Sequence, residues 1–198
     1  MLTKKDIKQL RSIGGKIRGE SIKVNFDCYL AMEGKQGLEK LKKRMQELNF
    51  FVDYQQIGSS GWYPLGDDVA LTALAAEVFN WDERKLKEFG RNIYKVSLIE
   101  KMFIQYLASS DKLFQKSAEQ WKRHISIGKL EVMEYNKKEK YVLLRLKDFK
   151  AHPSYCAVLM GFFESIIKMI FSGKKIDSCE IKCLHKGDSY HEYLFKWQ

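Results

Sequence analysis

The feature that most constrains this chain is a change of hydrophobic period about two-thirds of the way along it. Up to residue 124 apolar residues recur every three to four positions, the spacing of a helix face; beyond it they alternate, the spacing of a strand. Leu130, Val132 and Tyr135 lead into a polar turn at 136–140, and Val142, Leu144 and Leu146 alternate on the way back, which predicts a hairpin. Pro153 suits the first turn of a helix, the segment from Cys156 to Phe171 fills it, and Gly173 stops it. Lys174 to Leu184 predicts a strand, His185-Lys186-Gly187-Asp188 a tight turn, and Tyr190 to Trp197 a returning strand. Four antiparallel strands need a cover on at least one face. The expected class is therefore α+β: a helical N-terminal part packed on a four-stranded antiparallel sheet, with a hairpin-helix-hairpin C-terminal third.

The helical part reads in pieces. Residues 3–12 carry a weak helical pattern closed by Gly14-Gly15. The segment 21–32 is ambiguous. Ile22, Val24, Phe26 and Cys28 alternate like a strand, while Ile22, Phe26 and Leu30 share a helix face. Helix is favoured because 37–48 is plainly helical. Residues 49–61 form a turn-rich connector that ends in Trp62-Tyr63-Pro64-Leu65. Asp67 or Asp68 is expected to cap a helix running to Phe79, and Asn80 or Asp82 the next one, with Leu86, Phe89 and Ile93 on one face. Amphipathic pieces follow at 97–108 and 111–123. A length of 198 residues suits one domain, 1–198, with a mainly helical part over 1–124 and the strand-bearing part over 125–198.

Charge and cysteine usage narrow the partners. The net charge of +10 comes from 28 Lys and 7 Arg against 25 acidic residues. Arg is the residue suited to planar grips on phosphate and bases, so a Lys-dominated surplus reads as a solubilising surface, and nucleic acid is not an expected partner. Met1-Leu2-Thr3-Lys4-Lys5 leads into Asp6 with no apolar stretch behind it, so a cytoplasmic chain with reduced thiols is expected. The longest apolar run, Val158 to Phe171, is broken by Glu164 and Lys168 and is too short to cross a bilayer, so a buried helix and no membrane span are expected.

Catalytic templates are missing. The chain has no GxSxG, GxxxxGK[ST], HExxH or GxGxxG, and no enzyme activity is expected. His124 and His152 flank loops and read as surface histidines. Metal-ligand residue types do concentrate: Cys156, Cys179, Glu180, Cys183, His185 and His191 fall within 36 residues. Cys179 and Cys183 lie about 13 Å apart along an extended strand and cannot share an ion unless it bends. Cys183 and His191 face each other across the turn, where strand neighbours are about 5 Å apart. Thiolate, imidazole and carboxylate together suit zinc. The competing reading makes Cys156 and Cys183 small core residues.

The ending Cys183-Leu184-His185-Lys186-Gly187-Asp188-Ser189-Tyr190-His191-Glu192-Tyr193, closing on Trp197, resembles the C-terminal signature of the 4-vinyl reductase domain. The helix with Cys156 near its start and Met160-Gly161-Phe162 is similar to that family's preceding helix, so the resemblance covers about 125–198. Upstream, Gly34 to Leu41, Trp62-Tyr63-Pro64-Leu65 and Glu88-Phe89-Gly90-Arg91 resemble bacterial proteins with the same ending, which are grouped with heme-NO-binding-like and TRAPP trafficking-subunit folds. The resemblance implies a stand-alone sensory domain with an apolar pocket for a small hydrophobic, aromatic or acyl-like ligand. It also implies a zinc ion held by Cys156, Glu180, Cys183 and His191, with His in place of a final Cys. Glu180 and Cys183 lie on opposite faces of a regular strand, so a bulge or turn is required between them. Heme would need a proximal His and a Tyr-x-Ser-x-Arg grip on its propionates; no such motif is present, so heme is not expected. Candidate pocket residues are Trp62, Tyr63, Phe103, Tyr106, Trp121, Phe162, Phe163 and Ile166. Aromatics at such spacing are also plain core. The alternative is a dimeric adaptor resembling trafficking subunits, and a homodimer or protein partner is expected in either case.

Overall fold

The computed structural model describes residues 1–96, 117–171 and 173–198, without the side chains of 94–96 and 117. Helix α1 (Lys4–Arg11) starts at a capping box in which the Thr3 side chain accepts from the Asp6 N–H and the Asp6 carboxylate accepts from the Thr3 N–H. Strand β1 (Lys16–Arg18) pairs antiparallel with β2 (Trp62–Pro64), placing Ile17 opposite Tyr63. Between them runs α2 (Gly19–Glu47), so the ambiguous segment 21–32 is helical. The helix breaks at Gly34, whose φ of 69° is open to glycine at little cost and strained for other residues. That break separates the two helical patterns seen in the sequence.

Helices α3 (Leu65–Val78) and α4 (Glu83–Val96) follow. Pro64, rather than an aspartate, occupies the cap position of α3, and Asp68 lies buried within the helix. At α4 the expected acid does serve, since the Asp82 carboxylate accepts from the Lys85 N–H at 2.8 Å. Helix α5 (Ser117–His124) leads into the C-terminal third. The expected helix at 97–108 and the start of that at 111–123 lie outside the described residues.

The last third is β3 (Lys129–Asn136), β4 (Tyr141–Lys147), α6 (Pro153–Ile170), β5 (Ile176–Lys182) and β6 (His191–Trp197). The sheet order is β3-β4-β6-β5, antiparallel throughout. This is the expected α+β fold. Helix α6 covers one face of the sheet: Phe163 meets Tyr193 at 5.5 Å between ring centroids, and Phe171, just beyond the helix, stacks on Trp197 at 3.8 Å. By length and composition α6, at 18 residues, is long and apolar enough to cross a membrane. Its Val158, Leu159, Met160, Phe163 and Ile167 are nevertheless buried in the core of this fold.

Helix α4 lies against α6 backbone to backbone. A Cβ at Gly90 would overlap the Val158 carbonyl, and one at Gly161 the Lys87 carbonyl. Beside this contact the Glu164 carboxylate pairs with Lys87 at 3.0 Å and Arg91 at 3.3 Å, and accepts from the Ser178 hydroxyl of β5 at 2.8 Å. One carboxylate thus ties α4, α6 and the edge strand together. Gly90→Ala and Gly161→Ala are each expected to cost about 1–3 kcal/mol or more, because helix backbones cannot yield as flexible side chains do. Urea denaturation checks this, and an unchanged midpoint in both variants would contradict the contact.

Candidate metal centre

The site begins at the N-terminus of α6. The His152 ring accepts from the Ser154 N–H at 3.3 Å as the cap, Pro153 occupies the first turn, and Cys156 follows in that turn. Tyr155, one residue before Cys156, donates its hydroxyl to the buried Asp68 of α3 at 2.5 Å. Asp68 also accepts from the Asn25 side chain of α2 at 2.9 Å. The turn that carries Cys156 is therefore anchored to α2 and α3 through a buried polar network.

The other donors come from the second hairpin. In a regular strand Glu180 and Cys183 would face opposite ways. The β5–β6 register slips between Glu180 and Lys182, and the extra residue of that bulge brings both onto the face covered by α6. Cys183 then leaves the strand, so β5 is shorter than the sequence suggested. A 3-10 turn (Leu184–Lys186) reverses the chain, with the Cys183 N–H held by the Asp188 carboxylate at 2.7 Å. His191 opens β6 and is 2% exposed.

Cys156, Glu180, Cys183 and His191 thus present four donor atoms within 4.8 Å of one another. Cys156 Sγ lies 3.8 Å from Cys183 Sγ and 3.9 Å from His191 Nδ1, and His191 Nδ1 lies 3.0 Å from Glu180 Oε1. Two thiolates on one tetrahedral ion sit about 3.8 Å apart, and a thiolate and an imidazole about 3.6 Å. The observed edges are close to those of such a polyhedron. His191 Nε2 lies 3.2 Å from the Phe149 carbonyl. An Nε2–H would donate to that carbonyl and leave Nδ1, which faces Glu180 and Cys156, available to an ion. Burial pushes the Cys156 thiol well up, and the nearby Glu180 and Cys183 push it further. The sulfur stays a thiol until a cation offsets that cost. Tyr193 lies beside the same donors, with its buried hydroxyl lacking a hydrogen-bond partner among the described residues.

The remaining sequence candidates are scattered. Cys179 is exposed on the outer face of β5, and Cys28 is fully buried in α2 with its thiol pushed up to about 12 by burial. Trp62 is 37% exposed and stacks on the Arg18 guanidinium at 4.3 Å. The Tyr63 hydroxyl accepts from the Gly58 N–H at 2.8 Å and closes the connector. Trp121 is buried, donates to the Ile127 carbonyl at 2.7 Å and meets Phe149 edge-on. Phe163 is core between Trp121 and Tyr193, and Phe162 and Ile166 are half-buried against the same core. Phe103 and Tyr106 lie outside the described residues.

No family model matches the chain, and no curated protein matches it. Solved structures do. The H-NOX protein of S. oneidensis in its Fe(II)NO state superimposes with a TM-score of 0.66 at 14% identity, over 92% of this chain and 99% of that one. An unliganded Fe(II) H-NOX variant from K. algicida gives 0.64 at 14%, over 92% and 97%. An H-NOX structure from work on heme distortion in that family gives 0.64 at 13%, over 92% and 95%. This chain has the H-NOX fold. The likeness supports the heme-NO-binding-like side of the sequence resemblance, and neither the 4-vinyl reductase nor the trafficking-subunit name. It also overturns the expectation of no heme, because the proteins that share the H-NOX fold are described by their iron and heme. Zinc gains no support from them.

The chain has no Tyr-x-Ser-x-Arg, but Tyr141-Val142-Leu143-Leu144-Arg145 keeps the Tyr and the Arg. Both project from the face of β4 opposite α6. Tyr141 donates its hydroxyl to Glu134, and Arg145 pairs with Glu192 at 2.6 Å while stacking 4.1 Å from the Tyr190 ring. Each therefore already holds a carboxylate, the group a heme propionate presents. His152 and His191 are engaged as above. Burial, and after it the nearby Arg18 and Arg123, lower the pKa of His124.

Asp68 was read from sequence as a cap and is instead the buried hub of the site's support. Burial raises its pKa from the ordinary 3.8 despite the hydrogen bonds from Tyr155 and Asn25. A carboxyl raised in the folded state contributes stability that is present below the unfolded value and is lost as pH rises through the folded one. Wild type is therefore expected to lose stability relative to Asp68→Asn as pH rises from about 4 toward 7. Urea midpoints of the two proteins measure this, and a pH-independent difference would contradict it.

Proposed function

We propose that this chain is a sensory domain of H-NOX architecture whose state is set at a transition-metal centre formed by Cys156, Glu180, Cys183 and His191. The observation that carries this reading is the four donor atoms within 4.8 Å, with Cys183 and His191 buried. Two thiolates, an imidazole and a carboxylate form a soft-to-borderline set that selects a late first-row ion over magnesium or calcium. All four ligands would come from protein, which suits an ion that holds structure rather than one that turns over substrate. An ion there would join the first turn of α6 to both strands of the second hairpin, so its binding energy would be folding energy for this end of the molecule. The arrangement supports a sensor rather than an enzyme or an adaptor.

A second reading is favoured by Tyr141 and Arg145. A flat, apolar cofactor of the heme class would place its carboxylates on these two residues, as the H-NOX fold suggests. When bound, heme supplies an iron that takes a diatomic gas, as the S. oneidensis protein does with nitric oxide. This chain's own contribution would be a polar grip, with Arg145 and Tyr141 holding propionates in place of the Glu192 and Glu134 carboxylates. This gives chemical content to the small hydrophobic ligand expected from sequence.

Both readings are tested on purified full-length chain. Elemental analysis should find about one equivalent of a first-row transition metal in wild type, and less than a tenth in Cys156→Ser or Cys183→Ser. Wild type free of metal would overturn the centre. Retention should also weaken as pH falls, because protons compete for both sulfurs and for His191. Separately, hemin titration should give a saturable Soret shift at one equivalent, with affinity reduced about tenfold in Arg145→Gln by loss of a charge-assisted pair. Identical titrations would remove Arg145 from that role.

A further inference from the structure

His185 sits at the centre of the 3-10 turn that follows Cys183. Its Nε2 is buried and has no hydrogen-bond partner among the described residues. A buried polar atom in that condition calls for an explanation. The other two histidines at this end are accounted for: His152 caps α6, and His191 bonds the Phe149 carbonyl and faces Glu180. The His185 ring lies 5.9 Å from the His191 ring, at 46° between their planes. Two imidazoles on one ion, each with a metal–nitrogen distance of about 2 Å, have their centres about 5 Å apart. The observed separation exceeds that by less than an ångström.

We propose that His185 is a further ligand of this metal centre, joining Cys156, Glu180, Cys183 and His191 through its Nε2 as a fifth donor. The inference rests on the metal reading given above. The local backbone suits it. Cys183 is pinned at both ends of its peptide unit, its N–H by the Asp188 carboxylate at 2.7 Å and its carbonyl by the Lys186 and Asp188 N–H groups at 2.9 and 3.2 Å. Gly187 closes the turn in the left-handed region at φ 98°. The sulfur is thus held in place, and the His185 ring, two residues on, lies beside the His191 ring. The chemistry suits it as well. Glu180 is the hard member of an otherwise soft set, and a neutral imidazole adds a better-matched donor without adding charge to a centre that already carries two thiolates and a carboxylate.

Cobalt(II) is the probe. It is titrated into the reduced, chelator-stripped full chain, with folding of every variant checked by circular dichroism. Wild type should show thiolate-to-cobalt charge transfer with the weak visible bands of a five-coordinate ion. His185→Gln should keep the charge transfer, gain the stronger bands of a four-coordinate ion and bind about tenfold more weakly. Cys156→Ser should lose the charge transfer. A His185→Gln protein that reproduces the wild-type spectrum and affinity, while Cys156→Ser loses both, overturns the ligand assignment and leaves the centre standing. Absence of charge transfer in wild type overturns the centre itself. Long-range 15N–1H spectra of wild type with 113Cd provide a readout free of substitutions. Coupling of His185 Nε2 to cadmium is expected, and an unshifted Nε2 resonance overturns the assignment.

Discussion

The backbone contact between α4 and α6 is the constraint on which the rest depends. Two helices approach this closely only where neither side has a Cβ, and Gly90 and Gly161 meet that requirement from both sides. Once the helices are seated, α6 has no freedom to slide along the sheet. Its C-terminal end is then fixed by Phe171 on Trp197, and its N-terminal turn by Tyr155 on Asp68. Cys156 rides on that turn. A metal polyhedron tolerates errors of a few tenths of an ångström, so the position of one sulfur inherits its precision from a helix contact well removed from it along α6.

The period change marked the hairpin-helix-hairpin third because strands with one buried face alternate strictly, as Val142, Leu144 and Leu146 do. The need for a bulge between Glu180 and Cys183 was also legible, since parity alone forbids two ligands three residues apart on one strand face. What the sequence could not reveal depends on tertiary surroundings. Asp68 looks like a cap because aspartates near helix starts usually are; only the packing of α2 and α6 around it turns it into a buried hub. Phe149 contributes to the site through its carbonyl, and every residue has one, so no side-chain pattern announces it. The Tyr141 and Arg145 pair went unrecognised because Leu143 stands where the motif has Ser, although that Leu leaves the alternation, and hence the shared face, intact.

The two candidate sites lie on opposite faces of one sheet and are joined by consecutive residues. On β6, His191 faces α6 and the metal donors, while Glu192 faces the other way and pairs with Arg145. Across the sheet His191 is opposite Leu146 and Glu192 opposite Arg145 in an unbroken register. A strand in a paired register cannot rotate one side chain's backbone without moving the next. If Arg145 releases Glu192 to take the carboxylate of a ligand, the freed charge sits at 4% exposure and must be re-satisfied by a shift of that strand or by its other neighbours, Tyr190 and Lys182. Such a shift would act directly on His191 and, through the Phe149 carbonyl, on the geometry of the candidate metal donors. Such a coupling would need no long chain of contacts, because alternation along a β-strand places the two candidate sites one peptide bond apart.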